Sequence, residues 1–197
     1  MAVIRLATPA DAAAVQGIYA PYVRDTAISF EYDPPTIDEM RRRIEHTLEA
    51  YPYLVLEDGD EVIGYAYADR FSGRRAYAWS ASVSVYCRSD RVGRGAGRAL
   101  YGALIPALEL LGHRQLYAGI ALPNGASVAL HERMGFTHLG TYERVGWKLG
   151  QWHPVGWWQL LLEAPEGEPA APVPVGRVAG TDRFEEALAR GLSFLRG

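Results

Sequence analysis

From Ser82 to Leu100 the chain reads SVSVYCRSDRVGRGAGRAL, with Gly93, Gly95 and Gly97 packed between an alternating run and an apolar one. The alternation has the period of a strand, and Leu100, Leu104, Leu108 and Leu111 recur at helical spacing. The chain must therefore pass from strand to helix through a turn that can adopt φ > 0 and approach a ligand with bare backbone. A helix start holds N–H groups without intrahelical acceptors and the positive end of the macrodipole, so phosphate is the natural ligand. A plain flexible βα loop would carry glycines too. Two nucleotide motifs fail here: no Lys-Ser/Thr pair follows the last glycine, and Leu100 stands where a dinucleotide fingerprint needs glycine.

Around this turn the elements alternate irregularly. Val3 to Leu6 reads as a strand, and Thr8 with Asp11 resembles a capping box opening a helix to about Ala20. Thr36 with Glu39 opens another, to about Leu48, and YVRDTAISFEYDPP between them reads as loop and turns. Asp58-Gly59-Asp60 joins Tyr53–Glu57 to Glu61–Asp69 as a hairpin, and a strand follows at about Ala76–Tyr86. After the glycine turn come a helix over Gly95–Leu111, bent at Pro106, a strand over Leu116–Leu122 and a helix over Asn124–Met134. Two strands, near Thr137–Glu143 and Val155–Leu162, complete an α+β order with one βαβ crossover. From Ala164 the run PEGEPAAPVPVG reads as an extended tether. Beyond it, Phe184, Leu188, Leu192 and Leu195 lie along one side of a helix over Thr181–Arg196. The expected organisation is a domain over 1–163, a linker over 164–180 and a helix over 181–197. A lone helix of that length is marginal in water, so it should dock on its own domain or on a second subunit.

At 197 residues with 22% charged residues and a net charge of −3, neither disorder nor a general nucleic-acid field is suggested. No run approaches a membrane span and the first residues lack a leader pattern, so no membrane or nucleic-acid partner is expected and cytoplasmic residence is. The single cysteine, Cys87, excludes an internal disulfide, and no Cys/His spacing suggests a metal.

Val92-Gly93-Arg94-Gly95-Ala96-Gly97 resembles the Gln/Arg-x-x-Gly-x-Gly/Ala signature of the GCN5-related N-acetyltransferase superfamily, with Val92 in place of its polar first residue. Within it, TAISFEYDPPT, PYLVLEDGDEVIGYAYA, AYAWS, VYC, LPNGASVALHERMGF and GWKLGQWHPVGWWQ are similar to the phosphinothricin N-acetyltransferase family, over about Val3 to Leu162. The resemblance implies a twisted mixed sheet whose fourth and fifth strands run parallel and splay apart. It implies acetyl-CoA in that gap, its pantetheine pairing with Val85 and Cys87 and its pyrophosphate on Gly93, Arg94, Gly95, Ala96, Gly97 and Arg98. Asn124 matches an asparagine beside the pantetheine and equally reads as an N-cap. A homodimer is implied as well.

Acetyl transfer requires a neutral amine, an oxyanion stabiliser and a proton for the leaving thiolate. Where the family has a strand-4 glutamate, this chain has Ser82, which could order a water leading to Glu31; Glu31 also reads as a solvated loop carboxylate. His131 stands where many superfamily members carry the tyrosine that protonates the thiolate, and it could donate or accept a proton near neutral pH. It reads equally as a helix-face histidine with a backbone partner. His153 reads as structural or pocket-lining, and His46, His113 and His138 as surface residues. Phe30, Tyr77 and Tyr86 belong to an aromatic wall near the acceptor, and Arg74 suits an acidic group of the substrate or a solvated turn. The reading is acetyl transfer to a small-molecule amine, an amino acid or an analogue such as phosphinothricin or methionine sulfoximine. Its rivals are acetylation of a protein N-terminus or lysine, which the bulky Thr26–Pro35 loop opposes, and a non-catalytic acetyl-CoA-binding module, which Ser82 makes credible.

Overall fold

A computed structural model describes residues 1–91 and 93–195; Val92 of the glycine signature and Arg196–Gly197 of the expected last helix lie outside the described residues. Seven strands form one sheet in the order β1 (Ala2–Leu6), β2 (Tyr53–Asp58), β3 (Glu61–Arg70), β4 (Ser80–Cys87), β5 (Gln115–Ala121), β7 (Gln151–Leu161), β6 (Thr137–Lys148). Neighbours are antiparallel except β4 and β5, which are parallel. Alternation sorts the central strands between two cores. Leu54, Leu56, Ala66 and Ala68 pack with α3 (Ala96–Leu111). Tyr53, Val55 and Tyr65 pack with α1 (Ala12–Asp25) and α2 (Ile37–Leu48).

Local signals set these elements. The Thr36 hydroxyl accepts the Glu39 N–H at 3.1 Å and starts α2. The Thr8 N–H donates to the Asp11 carboxylate at 2.6 Å, starting the turn that leads into α1. α1 then runs through Pro21 to Asp25, so Tyr22–Asp25, expected as loop, are helical. On α3, Leu100, Leu104, Leu108 and Leu111 are buried, each worth about 1.5–3 kcal/mol relative to exposure.

Three expectations are corrected. Ala76–Trp79 is no strand: Arg75–Tyr77 is a 3-10 turn and β4 begins at Ser80. The Trp79 carbonyl receives the N–H groups of Arg114 and Gln115, and its indole donates to the Ala170 carbonyl, so this residue ties loops together. His113 is buried, not at the surface; it stacks on Tyr51 with ring centroids 5.3 Å apart. The 164–180 segment is no free, extended tether: Val175–Arg177 forms a 3-10 turn and the segment is bound to the domain. Val173 and Val175 donate to the carbonyls of Leu111 and Ala50, and the Val175 side chain is buried.

Beyond it, α5 (Asp182–Leu192) lays Phe184 and Leu188 into the core against α3. Gly191 makes the close approach possible, since a Cβ there would fall 2.3 Å from the Ala99 carbonyl oxygen. Past the helix, the Phe194 ring covers Gly102, and the Arg98 guanidinium stacks on that ring at 4.8 Å.

Burial lowers the His113 imidazole from its ordinary 6.5 to about 4. The unfolded chain binds that proton near pH 6.5, so the contribution is complete above that pH and is lost as pH falls through about 4, amounting to ~3 kcal/mol. His131 is lowered in the same direction by burial. Urea unfolding at pH 7.5, 5.5 and 4.5 should show stability falling over this interval, and His113→Phe, which keeps the stack on Tyr51, should flatten part of the slope. Equal slopes for the two proteins would refute the assignment.

Candidate active site

β4 and β5 share only three rungs, Ser80–Gln115, Ala81–Leu116 and Ser82–Tyr117. Past Ser82 each strand follows its other neighbour: β4 stays on β3 up to Gly64–Cys87, and β5 on β7 up to Ala121–Val155. The two therefore part, and β4 from Val83 onward presents unpaired backbone to a narrow gap of about 60 Å³. Val85, Tyr86, Ile120, Tyr101, Asn124 and His131 line it. A larger cleft, about 710 Å³, opens elsewhere between α3, α5 and residues 163–165, and holds none of the expected site residues.

α3 begins just past the end of β4. Gly93 and Gly95 have φ of 88° and 90°, a conformation that costs other residues strain. No side chain caps α3, and its ladder opens with the Ala99 N–H on the Gly95 carbonyl. The N–H groups of Ala96, Gly97 and Arg98 precede it, a donor set that fits an anionic group. The glycines also serve packing. A Cβ at Gly97 would lie 2.9 Å from the Leu130 side chain, and one at Gly95 2.3 Å from the Phe194 carbonyl oxygen. Around Gly93 the corresponding space is open. Arg94 is exposed, whereas Arg98 is turned onto Phe194.

Cys87 lies on the unpaired stretch, its carbonyl accepting the Tyr22 hydroxyl at 2.6 Å. Its thiol is packed against the core, where desolvation pushes it up to about 12. That thiol is a poor nucleophile at neutral pH. Asn124 caps α4 (Gly125–Arg133) by accepting the Ser127 N–H at 3.1 Å, and it also lines the gap.

His131, on α4, is 3% exposed. Its Nδ1 lies 2.8 Å from the Ser127 carbonyl oxygen, which can only accept, so Nδ1 carries the proton. Burial lowers the ring below its ordinary value and keeps it neutral at pH 7, so Nε2 accepts from the Tyr101 hydroxyl at 2.9 Å. Histidine and tyrosine thus form one pair on the gap. Tyr101 has no motif to mark it; its only signal is a polar tip among the apolar residues of α3, which must find a partner when buried.

Glu31 is held elsewhere. It accepts two bonds from Arg43, at 2.8 and 3.1 Å, and one from the Tyr19 hydroxyl at 2.9 Å. Hydrogen bonds from Arg43 and Tyr19 outweigh partial burial and hold its carboxyl below the usual range, which makes it a weak base. The Tyr19 hydroxyl also meets Ser29, so Glu31 fastens the 26–36 loop to α1 and α2. Lys148 fastens the same loop from the far side. Almost fully buried, its ammonium donates to the carbonyls of Val23 and Ser29, each at 2.6 Å. Phe30 seats that loop on β6, where a Cβ at Gly146 would overlap its ring. His153 is structural: its ring bonds the Lys148 carbonyl at 3.0 Å.

Ser82 stands on the last rung before the strands part, beside Tyr117 of β5. Tyr117 stacks on Phe71 at 4.3 Å and Phe71 meets Tyr77 at 5.8 Å, an aromatic edge leading out of the gap. Tyr86 lies deeper, packed on Tyr19, Tyr22 and Tyr65. Arg74 is exposed on the β3–β4 connection, with no ion pair among the described residues. The gap therefore gathers Tyr86, Val85, Asn124 and His131, with Ser82 at its closed end and the glycine turn at its open end. It does not gather Glu31.

Residues 4–157 match the family described as an acetyltransferase (GNAT) domain. The chain is 40% identical over 172 residues, 87% of its length and 92% of the relative's, to the phosphinothricin N-acetyltransferase of Streptomyces viridochromogenes. It is 34% identical to the L-methionine sulfoximine/L-methionine sulfone acetyltransferase of Salmonella typhimurium, over 86% of this chain and 97% of that one. A crystal structure of a phosphinothricin acetyltransferase from Sinorhizobium meliloti in complex with AcCoA superposes with a TM-score of 0.82 at 34% identity, covering 87% of this chain and 95% of that one.

The contact at Gly97 has a direct test. Gly97→Val should destabilise the fold by ~1–3 kcal/mol through overlap with Leu130, and Leu130→Ala in the same chain should recover part of that loss. Denaturant midpoints for the two single variants and the double variant measure it; losses that simply add would show that the two side chains do not meet.

Proposed function

Since this chain belongs to the GNAT acetyltransferase family, it is an N-acetyltransferase, and we propose that it moves the acetyl group of acetyl-CoA onto the primary amine of an amino acid or a close analogue. The observation that carries this reading is the parting of β4 and β5 beside an uncapped helix start. An extended arm can pair with β4 from Val83 to Cys87 while its pyrophosphate meets the N–H groups of Ala96, Gly97 and Arg98. Bound there, acetyl-CoA supplies an activated thioester. Beyond the closed end of the gap Tyr117, Phe71 and Tyr77 stack in a row, and Ile28 of a 26–36 loop tied down through Glu31 and Lys148 lines the gap itself. A fixed, bulky wall of this kind suits a compact acceptor better than a peptide, and Arg74 is free to meet its acidic group.

Direct attack by the amine fits the chemistry of the gap, because the Cys87 thiol is held protonated by burial. As the C–N bond forms the nitrogen must lose a proton, and as the C–S bond breaks the sulfur must gain one. The Tyr101–His131 pair can carry that proton: the Tyr101 hydroxyl gives its hydrogen to sulfur, the proton that nitrogen sheds replaces it on the tyrosine oxygen with His131 Nε2 holding it in transit, and the pair returns to its starting state. In this assignment His131 works through Tyr101.

The reading includes a homodimer. β6 lies at the sheet edge and exposes Leu139, Tyr142, Val145 and Trp147, and Trp152 of β7 packs on Trp147. An apolar edge strand of that kind is a surface a second copy would cover. Sedimentation should give a dimer, and Trp147→Glu should shift it toward monomer.

Release of free CoA with a panel of amino acids, phosphinothricin and methionine sulfoximine tests the activity, and absence of turnover with every amine would refute it. His131→Ala and Tyr101→Phe should each lower kcat roughly 10²- to 10⁴-fold with acetyl-CoA affinity kept. Acting as one unit, they should be no slower together than the slower single variant. Effects that multiply would show two separate roles.

A further inference from the structure

An amino-acid amine is mostly protonated at neutral pH, so a base within reach of the point where β4 and β5 part would free its lone pair for attack. Glu31 is committed to Arg43 and Tyr19. Asp69 is placed differently. In the β3–β4 ladder its register partner is Ser82, the residue on the last shared rung with β5. Side chains of directly opposed antiparallel residues leave on the same face with Cβ atoms about 4.5–5.5 Å apart. The strand alternation puts Asp69 on the face of Tyr65 and Tyr67, where α1, α2 and the 26–36 loop pack. One carboxylate oxygen accepts the Arg70 N–H at 2.6 Å. Among the described residues no ion pair engages the carboxylate, and the side chain is exposed, so the second oxygen is open to a ligand or a water.

We propose that Asp69 is the general base of this enzyme, taking the first proton from the substrate ammonium either directly or through a water held by Ser82. The proposal rests on amine acetylation at this gap. The step balances: the ammonium N–H bond breaks, its electron pair stays on nitrogen as the nucleophile, and the proton passes to the carboxylate and on to solvent. The second proton, shed as the C–N bond forms, travels to sulfur through Tyr101 and His131. The arrangement distributes over two strands what a single residue could do: Ser82 is too short and too weakly basic to accept the proton, but a hydroxyl beside a carboxylate can hold a water between them. The β3–β4 connection that follows Asp69 also carries Arg74, so one end of the site holds an anion for the amine and a cation for an acidic group. An α-amino acid presents these two charges close together.

Several groups bear on Asp69 and enter any pH profile: Tyr67 on its own strand, Arg70 beside it, Tyr51 before β2, Tyr117 across Ser82, and Arg43 with Glu31 beyond Tyr67. The experiment therefore compares profiles. For wild type, log kcat/KM should be nearly level from pH 7 to the amine pKa. For Asp69→Asn it should fall ~10²-fold at pH 7 and climb with unit slope toward the amine pKa, because only free amine then reacts. An acceptor of lower pKa, such as an amino-acid amide, should recover most of the loss at pH 7, while melting temperature and acetyl-CoA affinity stay unchanged. Ser82→Glu in the Asp69→Asn chain should return the level profile by moving the carboxylate one strand over. An Asp69→Asn protein with the wild-type rate and profile, or with a loss equal at every pH and for every amine, overturns the proposal. Wild type that turns over none of the amines overturns the acetylation reading itself.

Discussion

The site depends on the shortness of one strand pairing. β4 and β5 run parallel for three rungs and then follow different antiparallel partners, β3 on one side and β7 on the other. A sheet edge inside a folded domain is ordinarily a liability, because its unpaired backbone groups must find partners or water. Here that edge is kept, and the residues around it make it specific: Asn124, Tyr101 and His131 line one side, and the start of α3 stands at the mouth. An extended, amide-bearing arm satisfies such an edge as an additional strand would. The substrate requirement and the backbone requirement have the same solution.

Rigidity around the gap comes from two charged groups held by several partners each, Lys148 buried and Glu31 half-buried. Lys148 spends its ammonium on two carbonyls of the loop and helix that precede the wall, and Glu31 spends its carboxylate on Arg43 and Tyr19. Neither charge is available for chemistry. A charge withdrawn from water without partners would be costly, whereas one bonded to several groups holds its loop in place. These two contacts hold the 26–36 loop, with Phe30 and Tyr32, in a fixed place beside the gap.

The end of the chain joins the catalytic domain in a similar way. α5 lies on α3, and Phe194 brings its carbonyl to Gly95 and its ring to Gly102 and Arg98. The turn expected to hold phosphate is thus braced from outside by residues beyond the family match, which ends at 157. The glycines of that turn meet three demands at once: left-handed backbone at 93 and 95, close packing at 95 and 97, and an uncapped helix start.

Much of this was legible in the residues alone, because short-range physics decides it. The helix caps at Thr36 and Asn124, the leucine side of α3 and the glycine turn follow from local hydrogen bonding, side-chain period and φ preference, and six motifs in order identified the fold. What the sequence could not display were meetings between residues far apart in the chain. His131 finds Tyr101 across thirty positions, Asp69 faces Ser82 only through strand register, and Glu31 is drawn from the expected role by Arg43. Tertiary burial likewise took His113 from the surface and the proline-rich segment from a free tether, and it made Trp79 an anchor for loops rather than part of a strand. Period and propensity act over a turn or two of chain; register, partner choice and desolvation exist only once the layers have packed, and at this site those are what set Asp69 opposite Ser82, His131 on Tyr101 and Glu31 on Arg43.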